Sequence, residues 1–174
     1  MLEIKKNQNI LVLGGFCVGK TTFVKELLKS SDLNAFSDLF IISFDEYIKD
    51  IAKNRADNIG LKNNEPLAMC QYLVDDNNVK THEFIHTLLT TANKAKELNK
   101  SLLCIFDSLD IIKNCFATEK AFYQYLDILK ELGVTVIATG IISVSINDRK
   151  HFDKIKILER KSIFKRFFEK FLKS

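Results

Sequence analysis

Four short apolar runs punctuate the chain, at 9–13 (NILVL), 39–44 (LFIISF), 102–106 (LLCIF) and 134–138 (VTVIA). They are continuous rather than alternating, which is the pattern of strands covered on both faces of a parallel sheet. Residues 155–158 are a candidate fifth strand. Between the runs, apolar residues fall at helical spacing. Residues 21–29 (TTFVKELLK) read as the first turns of a helix, and 81–99 places Phe84, Ile85, Leu88, Leu89 and Ala92 on one side. Thr118 can cap a helix running through Leu132, with Phe122, Leu126 and Leu129 as its stripe and Gly133 at its end. Less regular stretches predict a helix over 46–55, a polar loop over 57–66, a short helix over 67–74 and a break at 75–78. Strands alternating with helices predict an α/β domain, a three-layer sandwich around a mainly parallel sheet.

Length and composition narrow this further. With 174 residues, 47% hydrophobic content and one proline, residues 1–174 suit a single domain with a real core. Repeats, low-complexity segments and long linkers are absent from the sequence. A net charge of +4 is compatible with nucleic acid or an acidic membrane surface and requires neither. No apolar run approaches a membrane span. Lys5 and Lys6 precede an apolar stretch ending at Cys17, faintly like a lipoprotein leader, but Phe16 is too bulky for the residue before a processed cysteine. A cytoplasmic setting is therefore expected. The cysteines at 17, 70, 104 and 115 form no CxxC pair, so reduced thiols are expected, with Cys104 in the core and Cys17 a passive loop residue.

The chemistry concentrates just after the first strand. Gly14, Gly15, Phe16, Cys17, Val18, Gly19, Lys20 and Thr21 fit G-x-x-x-x-G-K-[ST] at every fixed position, between a strand and a helix as that pattern needs. Glycines let such a loop turn tightly and aim successive N–H groups inward, forming an anion-binding nest at a helix N-terminus. These residues, with Thr22, are the candidate nucleotide-binding set: Lys20 would meet the β- and γ-phosphates, and the Thr21 hydroxyl would ligate Mg²⁺.

Further carboxylates close two later strands. Asp107 follows 102–106 directly, where a carboxylate can hold Mg²⁺ beyond a strand's C-terminal end; an ordinary helix cap is the simpler role. Asp45 and Glu46 follow the second strand likewise, and either is a candidate to orient or deprotonate an attacking water or to bind a substrate hydroxyl. Thr139, at the end of the fourth strand, is a weaker candidate for sensing the γ-phosphate. A rival motif, His82-Glu83-Phe84-Ile85-His86, matches H-E-x-x-H. It has no extended form and no third ligand, so a solvated or packed histidine pair is the preferred reading. At the C-terminus, 162–174 (SIFKRFFEKFLKS) sets Phe164, Phe167, Phe168, Phe171 and Leu172 opposite Lys165, Arg166, Lys170 and Lys173. That pattern predicts an amphipathic helix over 162–173, docked on the sheet or, as a basic face, turned to a membrane surface or protein partner.

The order of these pieces resembles the RecA/DnaB/KaiC group of P-loop ATPases. The likeness is carried by GGFCVGKTTF, IISFDEYIKDIAKNRADNIGL, LLCIFDSLDII and YLDILKELGVTVIATG, which span most of residues 9–140. It implies a RecA-like core that binds ATP and Mg²⁺, with Asp107 as the Walker B acid and Asp45 or Glu46 matching the catalytic glutamate. It also implies self-assembly or a nucleic-acid or protein partner. Asp45 is one methylene shorter than a glutamate, and the pattern places no inter-subunit arginine finger, for which Arg149 and Arg160 are no more than candidates. No N-K-x-D signature is present, which favours ATP over GTP. GGFCVGKTTFVKELL followed by ISFDEYIKD is also similar to uridine-kinase-like and pantothenate-kinase-like P-loop kinases, which implies transfer to a small hydroxyl compound. A nucleotide-binding module with degenerate catalysis is the third alternative. The two families differ in strand order: one strand separates the P-loop strand from the Asp107 strand in the RecA-like group, whereas the kinases place them side by side.

Overall fold

A six-stranded sheet forms the middle of the molecule, in the order β3-β2-β4-β5-β1-β6, with each neighbouring pair parallel. The computed structural model describes residues 2–31, 36–43, 68–73, 79–141 and 146–159. Its strands are β1 (Ile10–Gly14), β2 (Phe36–Ser43), β3 (Ala68–Leu73), β4 (Ser101–Asp107), β5 (Val134–Gly140) and β6 (Lys154–Leu158). The helices are α1 (Lys20–Ser30), α2 (Val79–Glu97), α3 (Leu109–Lys113), α4 (Glu119–Glu131) and α5 (Ile146–Lys150). Asp45, Glu46, Arg160 and the amphipathic segment 162–173 lie outside the described residues, as do the helix and loop expected over 46–66. No helix among the described residues is long and apolar enough to cross a membrane.

The continuous apolar runs find their reason in this sheet. On β1, Ile10 and Val12 face α1 and pack with Val24, Leu27 and Leu28, while Leu11 and Leu13 face the opposite layer. There they join Phe84, Leu88 and Ala92 of α2, Leu109 and Ile112 of α3, and Phe122, Leu126 and Leu129 of α4. Alternate side chains thus enter different cores, and a strand covered on both sides is apolar at most of its positions. The three layers expected from the alternation of elements are present, and the sheet is parallel.

Local signals explain the helix ends. Thr118 caps α4, its hydroxyl accepting a hydrogen bond from the Ala121 N–H at 3.2 Å. At the other end of the sheet, Asn9 is buried and accepts from the Val136 N–H at 2.9 Å, while its own N–H donates to Asp153 at 2.7 Å. Its carbonyl accepts from the Asp153 and Lys154 N–H groups. This one residue ties the entry of β1 to the strands on both sides.

One expectation is corrected. Residues 67–74 do not form a short helix: Ala68–Leu73 is strand β3, paired with β2 from Asp38↔Ala68 to Ser43↔Leu73. Leu, Ala and Met favour helices in isolation, but pairing with an open sheet edge overrides so weak a preference. The turn of helix at Ile146–Lys150 has no counterpart in the expected elements; five residues are too few to show a period.

Candidate nucleotide site at the ends of β1, β4 and β5

The loop from Gly14 to Gly19 links the buried end of β1 to the first turn of α1. Gly14 is held too closely to carry a side chain. A Cβ there would run into the Val18 side chain and lie 3.2 Å from the Leu158 carbonyl oxygen on β6. Gly19 precedes the helix with φ +88°, a left-handed conformation that glycine adopts without steric penalty. Phe16 and Cys17 are exposed at the tip, and Val18 is half-buried beneath them. Thr22 is exposed on the first turn.

Lys20 folds back over the loop, its ammonium donating to the carbonyls of Gly14 at 3.0 Å and Gly15 at 2.8 Å. The cation is thereby placed against the same backbone whose N–H groups would receive an anion. An ammonium carries three donors, so these two bonds leave one for an oxygen ligand.

One residue along, the Thr21 hydroxyl donates to Asp107 Oδ2 at 2.8 Å. The other carboxylate oxygen, Oδ1, accepts from the Thr139 hydroxyl. Register accounts for this meeting. Phe106 pairs with Ala138 and Val12 with Thr139, so Asp107 and Thr139 leave adjacent strands at the same level, beside the strand that feeds the loop. Thr139 is fully buried and Asp107 partly so. A hydroxyl and a carboxylate are hard oxygen donors of the kind Mg²⁺ accepts, and Mg²⁺ takes only one or two protein ligands beside water and phosphate. The residues present therefore fit that ion.

Of the sequence candidates, Gly14, Gly15, Lys20, Thr21, Asp107 and Thr139 come together. Asp45 and Glu46 are not described, but Ser43, the last residue of β2, is paired with Asp107. That strand end is directed to the same edge of the sheet. The H-E-x-x-H segment lies on α2, away from these strand ends in sequence, with Phe84 fully buried and Glu83 and His86 exposed. Among the described residues no group of three His, Cys, Asp or Glu side chains is placed to hold a metal. Cys104 is buried in the core, and Cys17 is exposed. What the sequence could not display is the double grip on Asp107, because it depends on two strands that are neighbours only in space.

β5 stands between β1 and β4, so one strand separates the loop strand from the Asp107 strand. That is the RecA-like order rather than the kinase-like one. Solved structures with the same architecture include a prototypical ATPase from the type III secretion system of pathogenic bacteria. It matches with a TM-score of 0.63 at 15% identity, over 94% of this chain and 54% of that one. A KaiC-like protein from the hyperthermophilic archaeon Pyrococcus horikoshii matches with a TM-score of 0.57 at 19% identity, over 92% of this chain and 76% of that one. The cytoplasmic domain of EssC matches with a TM-score of 0.61 at 18% identity, over 93% of this chain and 33% of that one. This chain thus spans about half the length of the secretion ATPase. No protein-family model matches the sequence, and comparison with curated proteins finds no relative. With the glycine loop, the strand order and these neighbours in agreement, the chain has the RecA-like P-loop NTPase fold.

Proposed function

We propose that the chain is a Mg²⁺-dependent ATP-binding protein, an ATPase of RecA-like type. In this reading it couples nucleotide binding or hydrolysis to assembly or to a protein or nucleic-acid partner, as a single domain in the cytoplasm. The observation that carries the reading is the triad of Thr21, Asp107 and Thr139, joined by hydrogen bonds at the mouth of a loop that already holds Lys20.

In this reading the loop amides from Gly15 to Lys20 receive the β-phosphate, and Lys20 shifts a hydrogen bond from a loop carbonyl to a β- or γ-phosphate oxygen. Thr21 and Asp107 would hold Mg²⁺, which would supply charge to offset that of the phosphate oxygens. Thr139 keeps the Asp107 carboxylate turned toward Thr21. Asp45 or Glu46, just beyond the end of β2, would orient and deprotonate the attacking water. Phosphoryl transfer demands mainly positioning and charge stabilisation, which are what this set of residues offers.

ATP turnover by the full chain, with and without nucleic acid and with candidate hydroxyl acceptors, tests this. The expected result is Mg²⁺-dependent phosphate release that rises with a partner, and its loss in Lys20→Ala. Charge-assisted hydrogen bonds are worth roughly 1.5–3 kcal/mol each, so Lys20→Ala should weaken ATP binding about tenfold to hundredfold. Unchanged affinity in that folded variant would overturn the site. Phosphate found on an acceptor would favour the kinase reading, and binding without turnover would leave a nucleotide-binding module.

A further inference from the structure

Asp148 is 3% exposed, and it lies among groups that the nucleotide site does not use. Lys113 Nζ sits 3.1 Å from its Oδ1 and 3.2 Å from its Oδ2, and the Tyr123 hydroxyl donates to Oδ1 at 2.9 Å. Lys113 also meets Glu119 at 2.8 Å. The Tyr123 ring stacks flat on the His151 imidazole, with 4.6 Å between centroids, and His151 Nδ1 lies 3.1 Å from Asp127 Oδ1. Burial works against the Lys113 charge, but the hydrogen bonds to Glu119 and Asp148 outweigh it and raise its pKa above the ordinary lysine range. The pair is therefore ionic.

The elements joined are the informative part. Lys113 ends α3, which starts two residues after Asp107; Glu119 and Tyr123 belong to α4; Asp148 lies on α5, the next helix after Thr139 on β5. The segments leaving the two strand ends of the site are thus fastened to each other through Lys113 and Asp148. Leu109 and Ile112 already anchor α3 in the core at full burial. A buried ion pair adds little net stability over a well-packed apolar pair. What it adds is direction, since a carboxylate held by an ammonium at both oxygens and by a phenol at one fixes one arrangement where an apolar contact tolerates several.

We infer that Asp148 is a positioning residue for Asp107: through Lys113 it sets the attitude of α3, and with it the carboxylate two residues before that helix, against Thr139. The inference rests on the nucleotide-and-Mg²⁺ reading of the site, and it adds a residue that touches neither ligand.

Asp148→Asn in the full chain tests it, because the amide keeps the shape and the Tyr123 partner and removes the charge that holds Lys113. At saturating Mg²⁺, kcat should fall about tenfold with KM for ATP within about twofold, a coupling effect of the usual size. The Mg²⁺ concentration for half-maximal turnover should rise about threefold. Amide exchange should quicken at 107–113 and stay unchanged on α1. A merely structural role would lower the unfolding temperature without moving kcat or the Mg²⁺ profile at temperatures well below unfolding; that result, with unchanged exchange, overturns the inference. Should the parent chain neither bind nor turn over ATP, the nucleotide reading falls by itself. Exchange in nucleotide-free Asp148→Asn then decides, with faster exchange confined to 107–113 supporting the clamp and none overturning it. If Asp148→Asn does not fold, Tyr123→Phe takes its place. It removes one hydroxyl, and the same kcat and exchange effects at about a third of the size are expected, with parent-like values counting against the inference.

Discussion

Asp107 is the residue on which the site turns, because each of its oxygens is claimed by a different threonine. Thr21 brings one hydroxyl from the first turn of α1, and Thr139 brings another from the end of β5. Hydrogen bonds to a charged group contribute about 1.5–3 kcal/mol, so either hydroxyl matters to where the carboxylate points. Thr139→Val is nearly isosteric and removes only the bond. Mg²⁺ titrations of ATP binding should then show weaker cation dependence by about tenfold, with affinity for metal-free nucleotide held. Identical titrations for variant and parent would remove Thr139 from the site. Asp107→Ala should abolish the Mg²⁺ effect altogether while the fold persists, since the residue is only partly buried. The tight glycine turn between β1 and α1 was legible in the sequence, because glycines answer to close approach and left-handed angles. Gly19 needs its left-handed angle, and Gly14 has no room beside Val18 and Leu158. The partnership of Asp107 with Thr139 was not legible, since 32 positions separate the two in sequence.

Among the elements, those with a strong period or a chemical end signal were readable in advance. α2 buries Phe84, Leu88 and Ala92 of its apolar stripe and α4 buries Phe122, Leu126 and Leu129, and Thr118 caps α4 as its position in the sequence suggested. Thr118→Ala should cost about 1 kcal/mol, measurable as a lower urea midpoint with an unchanged slope. β3 escapes the sequence pattern because a six-residue run holding the helix formers Ala68, Met69, Gln71 and Leu73 forms a strand only when β2 offers a partner. Asn9 shows the converse case, a polar residue inside an apolar run that the structure explains. Its side-chain carbonyl satisfies the buried Val136 N–H and its backbone binds the turn before β6. Asn9→Leu should therefore destabilise by about 1–3 kcal/mol, the usual cost of stranding a buried donor. An unchanged unfolding midpoint would show that water or rearrangement meets the need.

At the level of the whole molecule, the sheet brings distant segments to one edge, and the turn before β6 closes it at the other. Asp153 accepts from the Asn9 N–H and pairs with Lys130 at 2.9 Å. Partial burial alone would raise its pKa, but the bonds from Lys130 and Asn9 outweigh that and bring it below the usual carboxylate value of 3.8. A carboxyl with a lowered folded-state pKa adds stability that is complete above the unfolded value and is lost as pH falls toward the folded one. Stability should thus decline below about pH 4 in part through this group, and Asp153→Asn should flatten that part of the decline. Parallel curves for variant and parent would deny Asp153 a role. Lys130 and Asp153 are partly exposed, so salt should reduce the effect.

By itself the sequence determined the alternation of strands and helices, the buried character of the sheet and the glycine turn between β1 and α1, because each depends mainly on neighbours within a few positions of the chain. Only the tertiary structure decided the strand order, the assignment of 68–73 to an edge strand and the convergence of Thr21, Asp107 and Thr139. Those depend on which segments lie side by side, and parallel pairing links strands through crossovers whose length leaves no mark of who the neighbour will be.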